Sequence, residues 1–420
     1  MLSRGIFERR QVVSVASMTP GFSRRARLAI TAVKTVNAIS RHFRRGSGTV
    51  AGGSTGLAIF PTLLTELSRG RTVILVSGTN GKTTTSALLR SGWGTEVAGN
   101  ETGANMPAGH VAALCASPAA HVVLETDEAW LASVVHSAEP AVVILLNLSR
   151  DQLDRANEVR QLAQRWRDCF SADDFAGVVV ANASDPLVVF AAQTCARVRW
   201  VDVPTAWRSD ATSCPHCTRA LHYTHHDWSC ECGFTKPTRV SARLRSLLEI
   251  DNDEVAMELA LPGDFNQVNA ALAVTALSEL GIGVRDALAR MRTLRQVQGR
   301  YGLRTYHGST LLLLLAKNPA GAGALLESLD AQEVWVAINS RVADGKDPSW
   351  LYDVAFDSLK GRRVRCLGER RVDLATRLLY GGVDCDIVDD EEELWNAQAS
   401  VTLIANYTAF QEWMARTIAC

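Results

Sequence analysis

Residues 73–90 constrain the fold most, because an apolar run ends in a glycine turn that leads directly into a helical pattern. The apolar run predicts a buried strand, and the residues after the turn predict a helix start. Gly78 and Gly81 let the backbone turn tightly and direct N–H groups toward phosphate oxygens, which the positive end of the helix also attracts. Lys82 is expected to reach the β- and γ-phosphates, and the Thr83 hydroxyl to hold Mg²⁺. The pattern predicts an ATP-binding loop.

This loop is shorter than the usual phosphate-binding loop, because Val76 stands where the usual spacing places the first glycine. The residues predicted to bind the nucleotide here are Gly78, Thr79, Asn80, Gly81, Lys82, Thr83 and Thr84. An ordinary strand-to-helix turn with a solvated lysine is the alternative for so short a motif. The strand before the loop and the helix after it favour the nucleotide site.

The size of the chain leaves room for two or three domains with apolar cores, because it has 420 residues, of which 47% are hydrophobic and 21% charged. Lys and Arg together number 44, as do Asp and Glu. This balance gives no electrostatic support for a nucleic-acid partner, and we predict none.

A local basic segment, residues 24–45, places apolar residues at helical spacing between charges and predicts an amphipathic helix. Packing of this helix on its own domain is the favoured interpretation, and a membrane-surface helix is the alternative. Residues 1–18 lack the apolar core of a signal peptide, and no run reaches the length of a membrane span. We expect a cytoplasmic protein, with peripheral contact to the inner membrane face left open.

Four of the ten cysteines form two close pairs, Cys214 with Cys217 and Cys230 with Cys232. Two tight turns that each present two thiolates are typical of a four-cysteine zinc ribbon. The competing ligands are His216, His222, His225 and His226. Because four thiolates leave no open coordination position, a structural Zn²⁺ is the favoured role. A ribbon that binds nucleic acid is the alternative, and the neutral surroundings argue against it.

Strand and helix signals alternate along most of the chain. The predicted strands of the first block are 73–76, 121–125, 141–147 and 177–182, with a helix over 156–170. Those of a second block, which begins near 305, are 310–315, 333–339, 363–367 and 401–405. Residues 241–290 are expected to return to the first block after the ribbon. Apolar strands that alternate with helices predict parallel sheets covered on both faces.

Acidic and amide side chains follow two strands of the first block. Glu125 ends one strand, and Asn147 ends the next. Ligands of open parallel sheets bind at the carboxyl ends of strands, and Mg²⁺ prefers oxygen ligands. Glu125 is therefore the candidate to complete a magnesium site with Thr83, although a helix cap is the commoner role for a single acid.

Five landmarks together resemble those of Mur ligases, which activate a carboxylate with ATP and couple an amine. They are, in order, the loop 78–84, the strand that ends at Glu125, the segment 147–154, the segment 263–271 with Asn266, and Gly299-Arg300. Four further features resemble more closely the MurT-type subunits of lipid II isoglutaminyl synthases. They are the ribbon, the segment 103–106, the segment 150–155, and the tail motifs 317–321 and 343–353. The resemblance runs from about residue 24 to the end.

The resemblance implies an α/β fold with a central P-loop ATPase domain over 24–300, whose parallel sheet is interrupted by the ribbon at about 205–240. A smaller C-terminal α/β domain over 301–420 follows, and residues 1–23 form an N-terminal extension for which disorder is one option. The implied reaction is ATP-dependent amidation of the D-glutamate α-carboxylate of lipid II through an acyl phosphate. Lys82 and Arg300 would neutralise phosphoryl charge, Mg²⁺ would lie between Thr83 and Glu125, and Asn266 would contact the nucleotide.

Ammonia is the implied amine, and the resemblance implies a GatD-like glutaminase as the partner that supplies it. This chain has no cysteine in the glycine-flanked elbow of a glutaminase nucleophile. In the family, the MurT-type subunit contributes an aspartate that orients the partner's histidine. Asp353 is the best matching position, and Asp347 is second. Asp347 precedes Pro348 and is the better candidate for a simple helix cap.

Two departures from the family pattern stand out: no acid follows Gly299-Arg300, and Gln152 stands where peptide-adding Mur ligases tend to have histidine. MurT-like chains share the second change. Two other functions remain open: a stand-alone amide ligase, such as a folylpolyglutamate synthetase or an amino-acid-adding Mur enzyme, and a non-catalytic ATP-binding module with a partner-binding ribbon.

Overall fold

The computed structural model describes residues 21–42, 49–150, 156–204, 207–251, 253–297, 299–390, 394 and 400–419. The predicted extension at 1–23 lies almost entirely outside this part, and so do Gln152 and the rest of 151–155. The division of the chain into domains at residue 300 stays a prediction.

Three helices precede the first strand: α1 (Arg24–His42), α2 (Thr49–Ile59) and α3 (Leu63–Ser68). The predicted amphipathic helix is α1, and it packs on α2 and α5 (Pro107–Ala116) through Ala26, Ala29 and Val33, all fully buried. Packing of this helix on its own domain is thus confirmed for the buried face.

The first unit alternates short strands with helices. Its strands, in chain order, are β1 (Thr72–Ser77), β2 (Val97–Gly99), β3 (His121–Glu125), β4 (Val142–Leu145), β5 (Val178–Asn182), β6 (Val198–Asp202), β7 (His222–Tyr223), β8 (Trp228–Ser229), β9 (Ala242–Leu244), β10 (Leu248–Ile250) and β11 (Asp253–Val255). Its helices are α4 (Lys82–Trp93), α5, α6 (Leu131–Ala138), α7 (Ala156–Phe170), α8 (Pro186–Ala192), α9 (Asp264–Glu279) and α10 (Val284–Met291).

Nine of these strands form one sheet within the described residues, in the order β11-β10-β9-β6-β5-β4-β1-β3-β2, while β7 and β8 form a separate hairpin. Pairing is parallel from β2 to β9, as predicted, but β10 and β11 are antiparallel. The strand β1 lies between β3 and β4, and Val76 is paired with Glu125. The carboxyl ends of these three strands therefore meet at one edge.

Alternate residues of β1 face two apolar layers, because successive strand side chains point to opposite faces. Ile74 and Val76 pack toward α4, α9 and α10, whereas Val73 and Leu75 pack toward the layer that contains α5 to α8. Burial on both faces explains why β1 is a continuous apolar run. The same burial fixes the position of the loop that follows it.

The second unit is built on another sheet. Its strands are β12 (Tyr301–Tyr306), β13 (Ser309–Leu315), β14 (Glu333–Ala337), β15 (Arg363–Leu367), β16 (Cys385–Ile387), β17 (Ser400–Ala405) and β18 (Ile418–Ala419). Its helices are α11 (Pro319–Glu327), α12 (Arg371–Tyr380) and α13 (Tyr407–Arg416), with 3₁₀ helices at Pro348–Asp353 and Phe356–Leu359. The strand order is β16-β15-β14-β17-β13-β12-β18, which places the leucine-rich β13 inside the sheet as predicted.

Two predicted strands end earlier in the structure, because their last residues bond outside the sheet. The strand predicted over 141–147 ends at Leu145, and the Asn147 carbonyl accepts from the Thr79 amide. The strand predicted over 333–339 ends at Ala337, and the Asn339 amide donates to the Asn406 side chain. A pattern of apolar residues does not reveal such a change of partner.

Candidate active site

The predicted phosphate loop joins β1 to α4. Gly78 has φ 142° and Gly81 has φ 90°, in the region that favours glycine. A Cβ at Gly78 would lie 2.8 Å from the Leu146 Cβ, and one at Gly81 would lie 2.5 Å from the Asn269 Oδ1. Both glycines are therefore required by conformation and by space.

The loop is held from the end of β4 by Asn147. Its Oδ1 accepts from the Asn80 amide at 2.9 Å, and its Nδ2 donates to the Asn80 carbonyl at 3.0 Å. Beside it, the Thr79 hydroxyl donates to the Ser149 carbonyl at 2.9 Å. These bonds fix the loop, so Asn147 acts here on the backbone of the loop.

Lys82 is 4% exposed and lies folded against its own loop. Its Nζ donates to the Gly78 carbonyl at 2.5 Å and to Glu128 Oε1 at 3.0 Å. The sequence did not single out Glu128, because an acid three residues after a strand is not by itself a lysine partner. The ammonium group is thus held at the mouth of the loop by oxygen atoms that a phosphate can replace.

Thr83, Glu125 and Arg300 come together at the start of α4. The Thr83 hydroxyl donates to Glu125 Oε2 at 2.8 Å and accepts from Arg300 Nη2 at 2.7 Å. Arg300 Nη2 is 4.0 Å from Glu125 Oε1. A hydroxyl and a carboxylate at this distance form a pair of hard oxygen ligands that suits Mg²⁺. These three predicted residues share one site although 217 positions separate Thr83 from Arg300.

Glu125 is positioned by two side chains bound to its backbone. Asn100 Oδ1 accepts from the Glu125 amide at 2.9 Å, and its Nδ2 donates to the Glu125 carbonyl at 2.8 Å. His110 Nε2 lies 2.9 Å from the same carbonyl oxygen. Burial lowers the pKa of His110 to about 4, so the ring is neutral and donates through Nε2.

A cavity of about 340 Å³ opens beside the loop and reaches between the two sheets. Thr79, Asn80, Gly81 and Thr84 line it, with Arg300 at the boundary to the second unit. Since the phosphate loop forms one end, the rest of the cavity is the space available to a nucleoside.

Asn266 does not line this cavity; Asn269 on the next turn of α9 does. Asn266 is fully buried, and its side-chain Nδ2 donates to the Pro262 carbonyl at 2.6 Å. Its nucleotide contact stays a prediction, and Asn269 has the better position. The helical spacing of the two asparagines was visible in the sequence but did not distinguish them.

Asp185 forms another wall of the cavity, and it too was missed. It caps α8, accepting from the Leu187 and Val188 amides, and it also accepts from the Leu148 amide at 2.8 Å. Burial raises its pKa to about 6, against the lowering effect of these donors. An Asp-Pro pair is a visible helix-start signal, but the contact to Leu148 is not local.

The four cysteine sulfurs lie within 4.8 Å of one another, around the hairpin of β7 and β8. The Sγ atoms of Cys214 and Cys232 are 3.6 Å apart, and those of Cys217 and Cys230 are 3.4 Å apart. A tetrahedral zinc with bonds of about 2.3 Å requires sulfurs separated by about 3.8 Å. This donor set fits a Zn²⁺ ion.

The segment that carries the cysteines also reaches the cavity, through Trp207, Asp210 and Tyr223. The Trp207 indole donates to Asp210 Oδ2 at 2.5 Å, and the Tyr223 hydroxyl donates to the Ala211 carbonyl at 2.6 Å. The insertion therefore forms part of the cavity wall. No local pattern marked these aromatic residues as cavity residues.

Asp353 ends the 3₁₀ helix Pro348–Asp353, and its carboxylate lies 3.5 Å from Arg150 Nη2. Arg150 is also ion-paired with Asp210. Asp347 caps the start of the same helix, accepting from the Ser349 amide at 2.9 Å, as the proline pattern predicted. Hydrogen bonds from Ser349 lower the pKa of Asp347. The two candidate aspartates thus differ in surroundings, and only Asp353 lies against the first unit.

Comparison with known proteins gives two family matches. Residues 76–277 match the Mur ligase middle domain, and residues 315–410 match the MurT ligase C-terminal domain. The chain is 29% identical to a lipid II isoglutaminyl synthase subunit MurT from Staphylococcus aureus, over 80% of this chain and 85% of that protein. It is 26% identical to the subunit of the same name from Streptococcus pneumoniae, over 89% of this chain and 94% of that protein.

Solved structures share the fold. A pseudomurein peptide ligase type C from Methanothermus fervidus matches with a TM-score of 0.64 and 20% identity, over 82% of this chain and 78% of that one. MurF from Acinetobacter baumannii matches with a TM-score of 0.62 and 16% identity, over 86% and 79%. Among the described helices, none is long and apolar enough to cross a bilayer.

Proposed function

This chain belongs to the MurT type of the Mur ligase family and is an ATP-dependent ligase, and we propose that it amidates the D-glutamate of lipid II. The proposal rests on one observation: the same chain contains a phosphate loop and a MurT-type C-terminal domain. At the loop, Thr83 and Glu125 lie beside Arg300. A membrane-linked substrate requires a protein at the membrane face, and we propose peripheral association there.

The reaction proceeds in two halves. An oxygen of the D-glutamate α-carboxylate attacks the γ-phosphorus of ATP, and ADP leaves, so that an acyl phosphate forms. Ammonia then attacks the acyl carbon, phosphate leaves, and the ammonium nitrogen loses a proton to give D-isoglutamine. The acyl phosphate has to be shielded from water, which gives the second unit a reason to close over the first.

Lys82 and Arg300 provide positive charge for the transferring phosphoryl group. Lys82 Nζ leaves the Gly78 carbonyl and Glu128 when β- and γ-phosphate oxygens arrive. Arg300 is already at the loop, bonded to the Thr83 hydroxyl. Arg300 directly precedes β12, the first strand of the second unit, so its bond to Thr83 joins that unit to the loop.

Thr83 and Glu125 are the residues that would hold Mg²⁺. Both offer oxygen atoms, and the Thr83 hydroxyl oxygen is 2.8 Å from Glu125 Oε2. The neutral His110 and Asn100 hold Glu125 in place through hydrogen bonds to its backbone. When bound, Mg²⁺ neutralises the β- and γ-phosphate oxygens.

Cys214, Cys217, Cys230 and Cys232 would hold Zn²⁺ in a closed, structural site. Four thiolates leave no position for a substrate. The role of the ion is then to keep the insertion folded and, with it, the cavity wall around Trp207 and Tyr223.

A GatD-like glutaminase is the proposed partner, because most ammonia is protonated at neutral pH and a protonated amine is no nucleophile. Asp353 is the proposed contribution to the partner's catalytic triad, where it would orient a histidine. Its position next to Arg150 supports this choice over Asp347, whose carboxylate caps its own helix.

The test is an amidation assay with lipid II, ATP, Mg²⁺ and glutamine, with and without the partner. We expect D-isoglutamine, identified by mass spectrometry, only with both subunits, and glutamine hydrolysis that Asp353→Asn lowers at least about a hundredfold, as for loss of a triad aspartate. Asp347→Asn is the matched control and should retain hydrolysis.

Product formed from glutamine by this chain alone would favour the stand-alone ligase. Hydrolysis that depends on Asp347 and tolerates Asp353→Asn would reverse the assignment of the two aspartates. Nucleotide affinity, measured in parallel, establishes that each variant is folded.

A further inference from the structure

The outward face of α1 carries basic and aliphatic side chains that the packing of the helix does not use. At 100° per residue, Ala26, Ala29 and Val33 lie on one side and are buried. Around the neutral Thr31, Thr35 and Ala38, the exposed part of the helix surface carries six basic or aliphatic residues, namely Arg24, Arg27, Leu28, Lys34, Ile39 and Arg41. Leu28 is 62% exposed and Ile39 is 52% exposed. We call these six residues the outward face.

Among the described helices that pack around α1, α3 carries one acidic residue, Glu66, and that residue is ion-paired with Arg69 of its own segment. The sequences of α1, α2 and α5 contain neither Asp nor Glu. Arg25, beside the outward face, donates to the Ile59 carbonyl instead of to an acid. Positive charge on the outward face is therefore not neutralised within its own layer.

We propose that the outward face of α1 docks on the surface of an anionic phospholipid bilayer. Basic side chains interspersed with exposed aliphatic ones are typical of a helix that lies in a membrane interface, where lysine and arginine meet anionic headgroups and leucine and isoleucine enter the acyl boundary. A nucleic-acid surface would use the charges but not Leu28 and Ile39, and α1 has no Phe, Tyr or Trp for base stacking.

The docking face is connected directly to the candidate active site. The helix α1 packs on α5, and His110 of α5 contacts the Glu125 carbonyl. Docking through α1 therefore holds the strand β3, with Glu125 at its end, at a fixed position relative to the bilayer. This inference deepens the proposed function in one respect: a lipid-linked substrate would reach a site already at the membrane.

The test is flotation of the full chain with vesicles of phosphatidylcholine, either pure or with about 30% phosphatidylglycerol, at low and high salt. We expect the chain to bind only the vesicles that contain phosphatidylglycerol, and to bind them more weakly at high salt. The double variant Arg27→Glu/Lys34→Glu should bind at least about tenfold less. Leu28→Ser/Ile39→Ser, which keeps the charge, should also bind less.

The matched control is Arg219→Glu/Arg292→Glu, which changes the net charge equally at two exposed sites away from α1. It should bind like the wild type. Three results would each overturn the proposal. They are an equal loss of binding in both charge variants, no binding of the wild type to anionic vesicles, and binding to a DNA duplex that is as tight as binding to the vesicles. Neither partner nor glutamine is present, so the result is independent of the amidation assay.

Discussion

At the scale of single residues, His110 makes stability depend on pH. Its ring is fully buried, and burial lowers its pKa from 6.5 to about 4. The unfolded chain takes up a proton near pH 6.5, whereas the folded chain does not until the pH reaches about 4. The contribution of His110 is thus fully present above pH 6.5 and is lost as the pH falls toward 4, by about 3 kcal/mol at about 1.36 kcal/mol per unit.

His110→Gln tests this dependence, because glutamine can still donate to the Glu125 carbonyl but does not titrate. Urea unfolding at several pH values between about 7.5 and 4.5 should show the wild type losing stability relative to the variant as the pH falls. Asp185, whose raised pKa acts in the opposite sense, is common to both proteins and cancels. A difference in free energy of unfolding that does not change with pH would contradict the assignment of a neutral, buried ring.

How well single residues could be predicted depended on how local their role is. Gly78 and Gly81 are required by the turn that contains them, so a short motif was sufficient to find them. Trp207 and Asp210 line the cavity only because the insertion folds back on it. Asn269 differs from Asn266 in lying one turn further along α9, where its side chain reaches the loop at Gly81. Such roles depend on contacts between distant segments, which composition and spacing do not encode.

At the scale of elements, the buried parallel strands were the most predictable. The strands β1, β3 and β15 are buried over most of their length, and their predicted limits agree with the structure to within a residue. The short antiparallel strands β10 and β11 at the sheet edge were not predicted, because three residues are too few to establish an alternating pattern. Strand ends at the site were placed too late, since polar residues there bond to neighbouring loops.

The cysteine insertion makes a testable prediction as an element. Cys217→Ser should lower the zinc content from about one per chain to well below one, because a closed structural site needs all four ligands. With the insertion loosened, the cavity loses the fixed positions of Trp207 and Tyr223, and the Kd for ADP should rise about three- to tenfold, which is a loss of about 0.7 to 1.4 kcal/mol. Metal analysis and titration calorimetry measure the two effects.

Cys195→Ser is the matched control for this variant, since Cys195 is half-buried and lies outside the four-sulfur cluster. It should keep both zinc and ADP affinity. If Cys217→Ser retains a full zinc complement, the cluster is not a zinc site. If zinc is lost while the ADP affinity is unchanged, the insertion does not stabilise the cavity wall.

At the scale of the whole molecule, polar contacts between described residues join the first unit to the second around the cavity. Asn318 donates to the Asn80 side chain at 3.1 Å, Arg300 binds the Thr83 hydroxyl, and Arg150 pairs with Asp353. Two of these contacts involve the phosphate loop itself. The third contact starts from Arg150, whose neighbour Ser149 is hydrogen-bonded to Thr79 of the loop. It ends at Asp353, the aspartate proposed to serve the partner. The proposed nucleotide site and the proposed partner site are thus linked through Arg150.

Arg150 should therefore act as a positioning residue for Asp353. Its guanidinium is anchored by Asp210 and approaches Asp353 Oδ2, which leaves Oδ1 for a histidine N–H of the partner. In the two-subunit enzyme, Arg150→Gln should lower kcat for glutamine hydrolysis about tenfold and leave the KM for glutamine unchanged, because orientation of the triad is affected and substrate binding is not. Amidation driven by added ammonia should stay within about twofold of the wild type.

Arg285→Gln, at an exposed position on α10, is the charge-matched control and should change neither reaction. A parallel loss of the ammonia-driven reaction would instead assign Arg150 to the nucleotide site, and unchanged hydrolysis would show that Asp353 is oriented without it.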